Sequence, residues 1–326
     1  MKTVQWLGLA LALQGGLAVV TWWPTGTVEV TKTPLVPGGA EAITQITVQG
    51  SGPSAAPVTV ARQGDGWVIT SNDGFPASSE KVSAMIDALG KAELGTPVAT
   101  QATSHEKLRV GDTGYGRKVE VVAGGETLTV YLASAASKAV WLRKAGADDV
   151  WQVKGLTEFD FKDSAKALYP TNAVTVAADA LTRLSVTNAN GTFALTKQGD
   201  TWTLPTTPAG MEVDAAKVRD LASKLGSLRL SEVVGRTASP EQGFDAAPLR
   251  VAWTEQAGDT QRTGSLALGA EVDGKRFLQA EGGFVVQVPS AGVTGLLEAN
   301  ADALLKPVAA SAPTTPPAPP AELEGL

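Results

Sequence analysis

An α+β fold is what this chain of 326 residues predicts: two tandem repeats of a strand-rich antiparallel module with one main helix each, preceded by one N-terminal transmembrane helix. Three observations predict it. An uncharged run of 20 residues lies near the N-terminus, and the remainder is self-similar at a spacing near 136 residues. Inside each copy, two-residue apolar alternation flanks a single amphipathic stripe.

Length and composition allow this reading. A chain of this size holds about two domains. Apolar residues at 43% and charged residues at 18% are the balance of a folded globule rather than a disordered chain. Thirty-five Gly and 19 Pro imply many turns and short connections. Net charge is −6 and the basic residues are scattered singly, so nucleic acid is not an expected partner. The absence of Cys excludes disulfides, Cys-ligated zinc, a Cys nucleophile and lipid attachment through Cys.

The first element is the membrane helix, residues 1–24. At about 1.5 Å rise per residue, the uncharged run from Val4 to Trp23 spans about 30 Å, the hydrocarbon thickness of a bilayer. Lys2 precedes it, and Trp22-Trp23-Pro24 closes it with indoles at the depth of an aromatic belt. A cleaved signal peptide is the rival reading, with cleavage near Gly16-Leu17-Ala18. Against it, Val19, Val20, Trp22 and Trp23 prolong the apolar run where a polar exit is needed. The expected location is the inner (cytoplasmic) membrane, single-pass, with the body on the outer, periplasmic side. Gly8, Ala12 and Gly16 recur every four residues along one helix face, and Gln14 adds an amide inside the bilayer. These four are the candidate residues for helix association in the membrane. Residues 25–42 read as a stalk, and residues 308–326, Pro-rich from Pro313 to Pro320, as a disordered tail.

The repeat organises what lies between: a first copy at 43–170, a linker at 171–180 and a second copy at 181–307. Ile43-Thr44-Gln45-Ile46-Thr47-Val48 is echoed by Leu181-Thr182-Arg183-Leu184-Ser185-Val186, and Arg62-Gln63-Gly64-Asp65-Gly66-Trp67 by Lys197-Gln198-Gly199-Asp200-Thr201-Trp202. Val82, Met85, Ile86 and Leu89 match Val218, Leu221, Ala222 and Leu225, all offset by 136. Val150-Trp151-Gln152-Val153 resembles Val285-Val286-Gln287-Val288, and Leu168-Tyr169-Pro170 resembles Leu305-Lys306-Pro307 as each copy ends. Within one copy, an opening strand turns at Gly64-Asp65-Gly66 into Trp67-Val68-Ile69. A helix follows whose apolar residues sit at i, i+3, i+4 and i+7, near 79–91 and again near 214–228. Leu128, Val130 and Leu132 alternate with Thr127, Thr129 and Tyr131, which predicts a strand buried on one face and wet on the other. Helix stripe and strand faces must bury against each other, which makes the module α+β.

The opening Ile-Thr-x-Ile-x-Val strand, the Gly-Asp-x-Trp hairpin, the helix after it, the late Val150-Trp151-Gln152-Val153 strand and the Phe159-x-Phe161…Leu168 exit resemble domain-of-unknown-function family 4340. The similarity covers most of residues 43–307. It implies an anchored envelope protein, encoded near ABC-type transport machinery and linked to gliding or export, and it carries over no catalytic residues.

The chain offers little chemistry of its own. Gly-x-Ser-x-Gly, a Walker loop and Gly-x-Gly-x-x-Gly are absent, and Gly111-Asp112-Thr113-Gly114-Tyr115-Gly116 reads as a turn. Ser78-Ser79-Glu80-Lys81 matches Ser-x-x-Lys, but its partner motifs are missing. Its counterparts, Asp214 and Lys217, point instead to Ser78 and Asp214 as helix N-caps, since either oxygen accepts from the first helical amides. His105 is the only histidine, so no His-pair metal site or His triad of one chain is expected, and it reads as a solvated loop residue. Asp148-Asp149 and the pair Asp160 and Asp163 read as solvated carboxylates rather than a hard-cation site. Trp67 and Trp202, at matching positions, read as core anchors. Trp141, Trp151 and Trp253 are the better candidates for stacking on a ligand.

No enzyme activity and no cofactor are therefore expected. The leading expectation is a non-enzymatic accessory subunit of an envelope transport or motility complex, with the membrane and ABC-type transporter subunits as partners. The alternative is a free-standing binding module for an envelope glycan or lipid, in a cleft between the repeats.

Overall fold

The computed structural model describes residues 33–51, 54–136, 138–280 and 282–308. The expected anchor, with Gly8, Ala12, Gln14 and Gly16, and the tail beyond residue 308 lie outside them. Among the described residues, no helix is long and apolar enough to cross a membrane. The chain divides into two compact units. One takes the described residues of Met1–Ile43 and Ser51–Ser54 with Ile86–Phe161. The other takes Thr44–Gly50, Ala55–Met85 and the described residues of Lys162–Leu326.

The fold is α+β and strand-rich. Its elements begin with β1 (Thr33–Pro34), β2 (Ile43–Gln49), β3 (Val58–Gln63), β4 (Gly66–Ile69), β5 (Phe75–Pro76), α1 (Ser79–Gly90) and β6 (Glu93–Leu94). Next come α2 (His105–Leu108), β7 (Arg117–Ala123), β8 (Glu126–Ala135), β9 (Ala139–Lys144), β10 (Val150–Lys154) and α3 (Ala165–Leu168). They continue with β11 (Leu181–Asn188), β12 (Gly191–Gln198), β13 (Thr201–Thr203), β14 (Met211–Val213), α4 (Ala215–Gly226) and β15 (Glu232–Gly235). The chain then forms β16 (Leu249–Ala257), β17 (Thr260–Val272), β18 (Lys275–Ala280), β19 (Val285–Pro289), α5 (Ser290–Leu297) and β20 (Leu305–Pro307).

Two eight-stranded sheets have the orders β10-β9-β8-β7-β2-β3-β4-β5 and β13-β12-β11-β16-β17-β18-β19-β15. Seven strands follow one order in both, β4-β3-β2-β7-β8-β9-β10 in the first and β13-β12-β11-β16-β17-β18-β19 in the second. The eighth strand differs: β5 is added beside β4, and β15 beside β19.

The helices form where the stripe predicts them. Val82, Met85 and Leu89 on α1 are buried and Ile86 is half-buried, while Val218, Leu221, Ala222 and Leu225 on α4 are all buried. Each large apolar side chain removed from water in this way contributes about 1.5–3 kcal/mol. Both N-termini are capped. Ser78 Oγ accepts from Lys81 N at 3.4 Å, and Asp214 Oδ1 accepts from Ala216 N at 3.0 Å. The 136-residue offset relates four further bonds in two pairs. Ser78 N donates to Leu168 O and Asp214 N to Leu304 O, each at 2.8 Å. Lys81 Nζ donates to Tyr169 O at 2.7 Å, and Lys217 Nζ to Leu305 O at 2.9 Å.

Three features differ from the expectations. Residues 33–36 belong to the first unit and not to a stalk: β1 pairs with β6, Leu35 N donates to Ala92 O at 2.9 Å, and Leu35 and Val36 are buried. The 171–180 linker is tied down in the second unit, with Ala173 N on Leu228 O at 2.7 Å and Ala177 N on the buried Glu255 carboxylate at 2.7 Å. The wet face expected of β8 is dry at Tyr131 and Ala133, 7% and 1% exposed. The segment before β7 covers them, as described next.

Candidate functional site

In the first unit, Val110, Tyr115, Tyr131, Ala133 and Val150 form a buried cluster, with Ala99, Leu108 and Trp141 packed against it. Arg143 lies within this cover at 3% exposure. Its Nε donates to Val110 O at 2.6 Å, its Nη1 to Ala147 O at 3.3 Å and its Nη2 to Asp112 Oδ1 at 2.5 Å. The guanidinium also stands 4.6 Å from the Tyr131 ring centre, a cation–π contact. The hydrogen bond from Arg143 holds the Asp112 carboxyl below its ordinary range. Burial, then the Asp112 charge, push the Tyr131 phenol up. This is the internal logic of a clasp: one buried cation ties a loop to the sheet through two carbonyls and a carboxylate.

The glycines of the segment read as a turn, Gly111 and Gly114, belong to this clasp. A Cβ at Gly111 would lie 2.6 Å from Glu106 Oε1, and one at Gly114 would lie 2.9 Å from Glu106 Oε2. Gly111 N donates to Gly114 O, so the segment is a tight turn wrapped on a carboxylate.

The other candidates are dispersed. Ser78 and Lys81 are spent on the cap and on Tyr169 O. His105 opens α2 half-buried rather than lying in an open loop, with Nε2 2.9 Å from Asp148 O. Asp160 Oδ2 accepts from Thr157 N at 2.6 Å in a capping box. Among the described residues, no three His, Cys, Asp or Glu side chains gather where a metal ion would need them. Trp202 is buried and Trp67 half-buried. Trp141 and Trp151 are half-buried and Trp253 is buried, its indole lying where a side chain on its strand partner Gly264 would go.

The outer face of the second sheet is open. Two contiguous depressions of about 380 and 470 Å³ run across β12, β11, β16, β17 and β18. Register explains the floor. Ser185 stands opposite Ala194 and Ala252, and Ala252 opposite Ser265, so small side chains meet across four strands. Arg183 and Arg250 are the charged residues of the lining, which includes no Asp or Glu. Arg250 Nη2 donates to Phe244 O at 2.7 Å, which holds that guanidinium at the rim.

The first sheet is furnished differently at the same ladder positions. Where the second carries Arg250 and Ala252, the first has Lys118 and Glu120, ion-paired at 2.7 Å. Where the second has Ala267 facing Gln279, the first has Tyr131 facing Arg143. Sequence reading missed this surface because Ser, Thr and Ala carry no motif. The signal was the spacing of Arg183, Ser185 and Thr187, which share one face of a strand.

Comparison with family models matches residues 67–247, more than half of the chain, to "Domain of unknown function (DUF4340)". The match is narrower than the 43–307 resemblance, beginning inside the first hairpin and ending before β16. Neither the curated proteins nor the solved structures yield a match. With the family model spanning that share of its length, the chain belongs to the DUF4340 family.

Proposed function

We propose that this protein is a non-enzymatic, membrane-anchored envelope protein, built of two repeats and acting as an accessory subunit of a transport or motility complex. In this reading residues 1–24 hold it in the inner membrane and the body stands on the periplasmic side, where ABC-type transporter subunits are its partners. The shared order of seven strands and the four hydrogen bonds that pair up at the 136-residue offset support duplication. The observation that carries the function is the asymmetry between the copies. One outer face is dressed with large side chains and closed by the Arg143 clasp, while the equivalent face of the other is an open groove. Duplication leaves one copy free to keep the scaffold while the other receives a partner. The non-enzymatic part is supported by the duties already held by Ser78, Lys81 and His105.

The test is purification after mild detergent extraction. The expected result is co-purification of permease-like membrane subunits in fixed stoichiometry. A lone protein carrying bound glycan or lipid would overturn this reading in favour of a free-standing binding module.

A further inference from the structure

We infer that the groove on the second sheet receives an extended acidic segment of the partner protein, with carboxylates four residues apart. This rests on the docking reading above and names the chemistry of what docks.

Charge gives the class. The protein is net −6, yet the groove lining holds two arginines and no carboxylate. Arginine offers a planar fork that matches a carboxylate in two parallel bonds. Register gives the spacing. Arg250 stands opposite Thr187, and Arg183 lies four residues from Thr187 along β11. At about 3.3 Å per residue the two arginines are offset by about 13 Å along the strand direction, the span of residues i and i+4 in an extended chain.

The floor fits a peptide backbone. Ala252, Ser185 and Ser265 let main chain approach, and the Ser and Thr hydroxyls both donate and accept. An apolar helix would find no deep pocket for the aromatic or aliphatic anchors that such docking uses.

The first unit supplies the precedent. There, an arginine on the same outer face is met by Asp112, carried on a segment of the chain itself. The groove has the arginines without such a carboxylate, and the inferred partner supplies in trans what Asp112 supplies in cis.

The probe is a fluorescein-labelled peptide, Ser-Thr-Glu-Ser-Thr-Ser-Glu-Thr-Ser, titrated by anisotropy with the full-length protein in detergent at low salt. Three comparisons accompany it: the same peptide with both Glu replaced by Gln, one with the two Glu adjacent, and polygalacturonate as competitor. The expected result is saturable binding, weakened about tenfold by Arg183→Glu or by Arg250→Glu alone and lost with both. Both arginines are exposed, and thermal melts of each variant separate lost binding from lost folding. Ser265→Trp, which fills the floor without changing charge, is expected to block binding as well. Equal binding of the Gln peptide, indifference to the Arg changes, or saturation of the groove by polygalacturonate would overturn the inference. Failure of peptide binding while the detergent-extracted complex stays intact would discard the acidic class and leave the subunit reading standing.

Discussion

Arg143 and Asp112 look like a surface ion pair, but their environments are unequal. The Arg143 side chain is 3% exposed and that of Asp112 74%. Removing the carboxylate leaves the guanidinium its two carbonyls and the Tyr131 ring. Removing the guanidinium leaves Val110 O and Ala147 O without this donor inside the cover. Urea denaturation should therefore rank the variants, with Arg143→Met costing about 2–4 kcal/mol and Asp112→Asn about 1 kcal/mol or less. The pH dependence follows from the sign of the shift. The folded carboxyl titrates below its ordinary 3.8, so its stabilisation is present above that value and is lost as pH falls through the folded pKa. Wild type and Asp112→Asn should differ near pH 6 and converge in acid. Gly264 is a second decisive residue. Any Cβ there meets the Trp253 indole, so Gly264→Ala should cost about 1–3 kcal/mol. A double mutant with Trp253→Leu should lose less than the sum of the two single changes, read from thermal melts.

At the scale of elements, the helix stripe and the strand alternation were legible because both are periodicities that burial enforces. Predicted helices near 79–91 and 214–228 stand at Ser79–Gly90 and Ala215–Gly226. The capping reading can be tested against the Ser-x-x-Lys reading. Ser78→Ala should cost about 0.5–2 kcal/mol while Ser78→Asp is tolerated, as Asp214 is at the N-terminus of α4. Lys81→Met and Lys217→Met should cost about 1 kcal/mol each, since both lose the same bond to a carbonyl. These are equilibrium unfolding measurements, and unequal costs would break the equivalence. Other elements were not legible. Helix α5 contains Gly292, Thr294 and Gly295, poor helix formers, and buries only Val293 and Leu296. Its C-terminal end is held from outside. Asn188 Nδ2 donates to Leu296 O and Ala299 O, and Asn190 Nδ2 donates to Glu298 O. Tertiary bonds set that helix, and local pattern does not report them. The dry outer face of β8 escaped for the same reason, since Tyr131 is buried by a segment about 20 residues earlier in the chain.

For the whole molecule, segments far apart in sequence meet inside the second unit. Phe75 packs edge-on against Phe284 at 4.9 Å and Tyr169 at 5.3 Å. Arg236 sits 4.2 Å over the Phe284 ring and donates from Nε to Asp73 O at 3.0 Å. The groove on the second sheet thus belongs to a unit to which residues 55–85 also contribute strands. The groove itself was only faintly legible. Arg183 and Arg250 are unremarkable in sequence, and the small residues between them gain meaning only when register sets them side by side. The most direct measurement replaces Ser265 with a photo-crosslinking phenylalanine derivative in cells, with the same replacement at Thr129, its ladder counterpart on the first sheet. The account predicts a single covalent adduct with an envelope partner from position 265 and none from position 129. Adducts from 129 alone, or none from 265 in a complex that purifies intact, would contradict it.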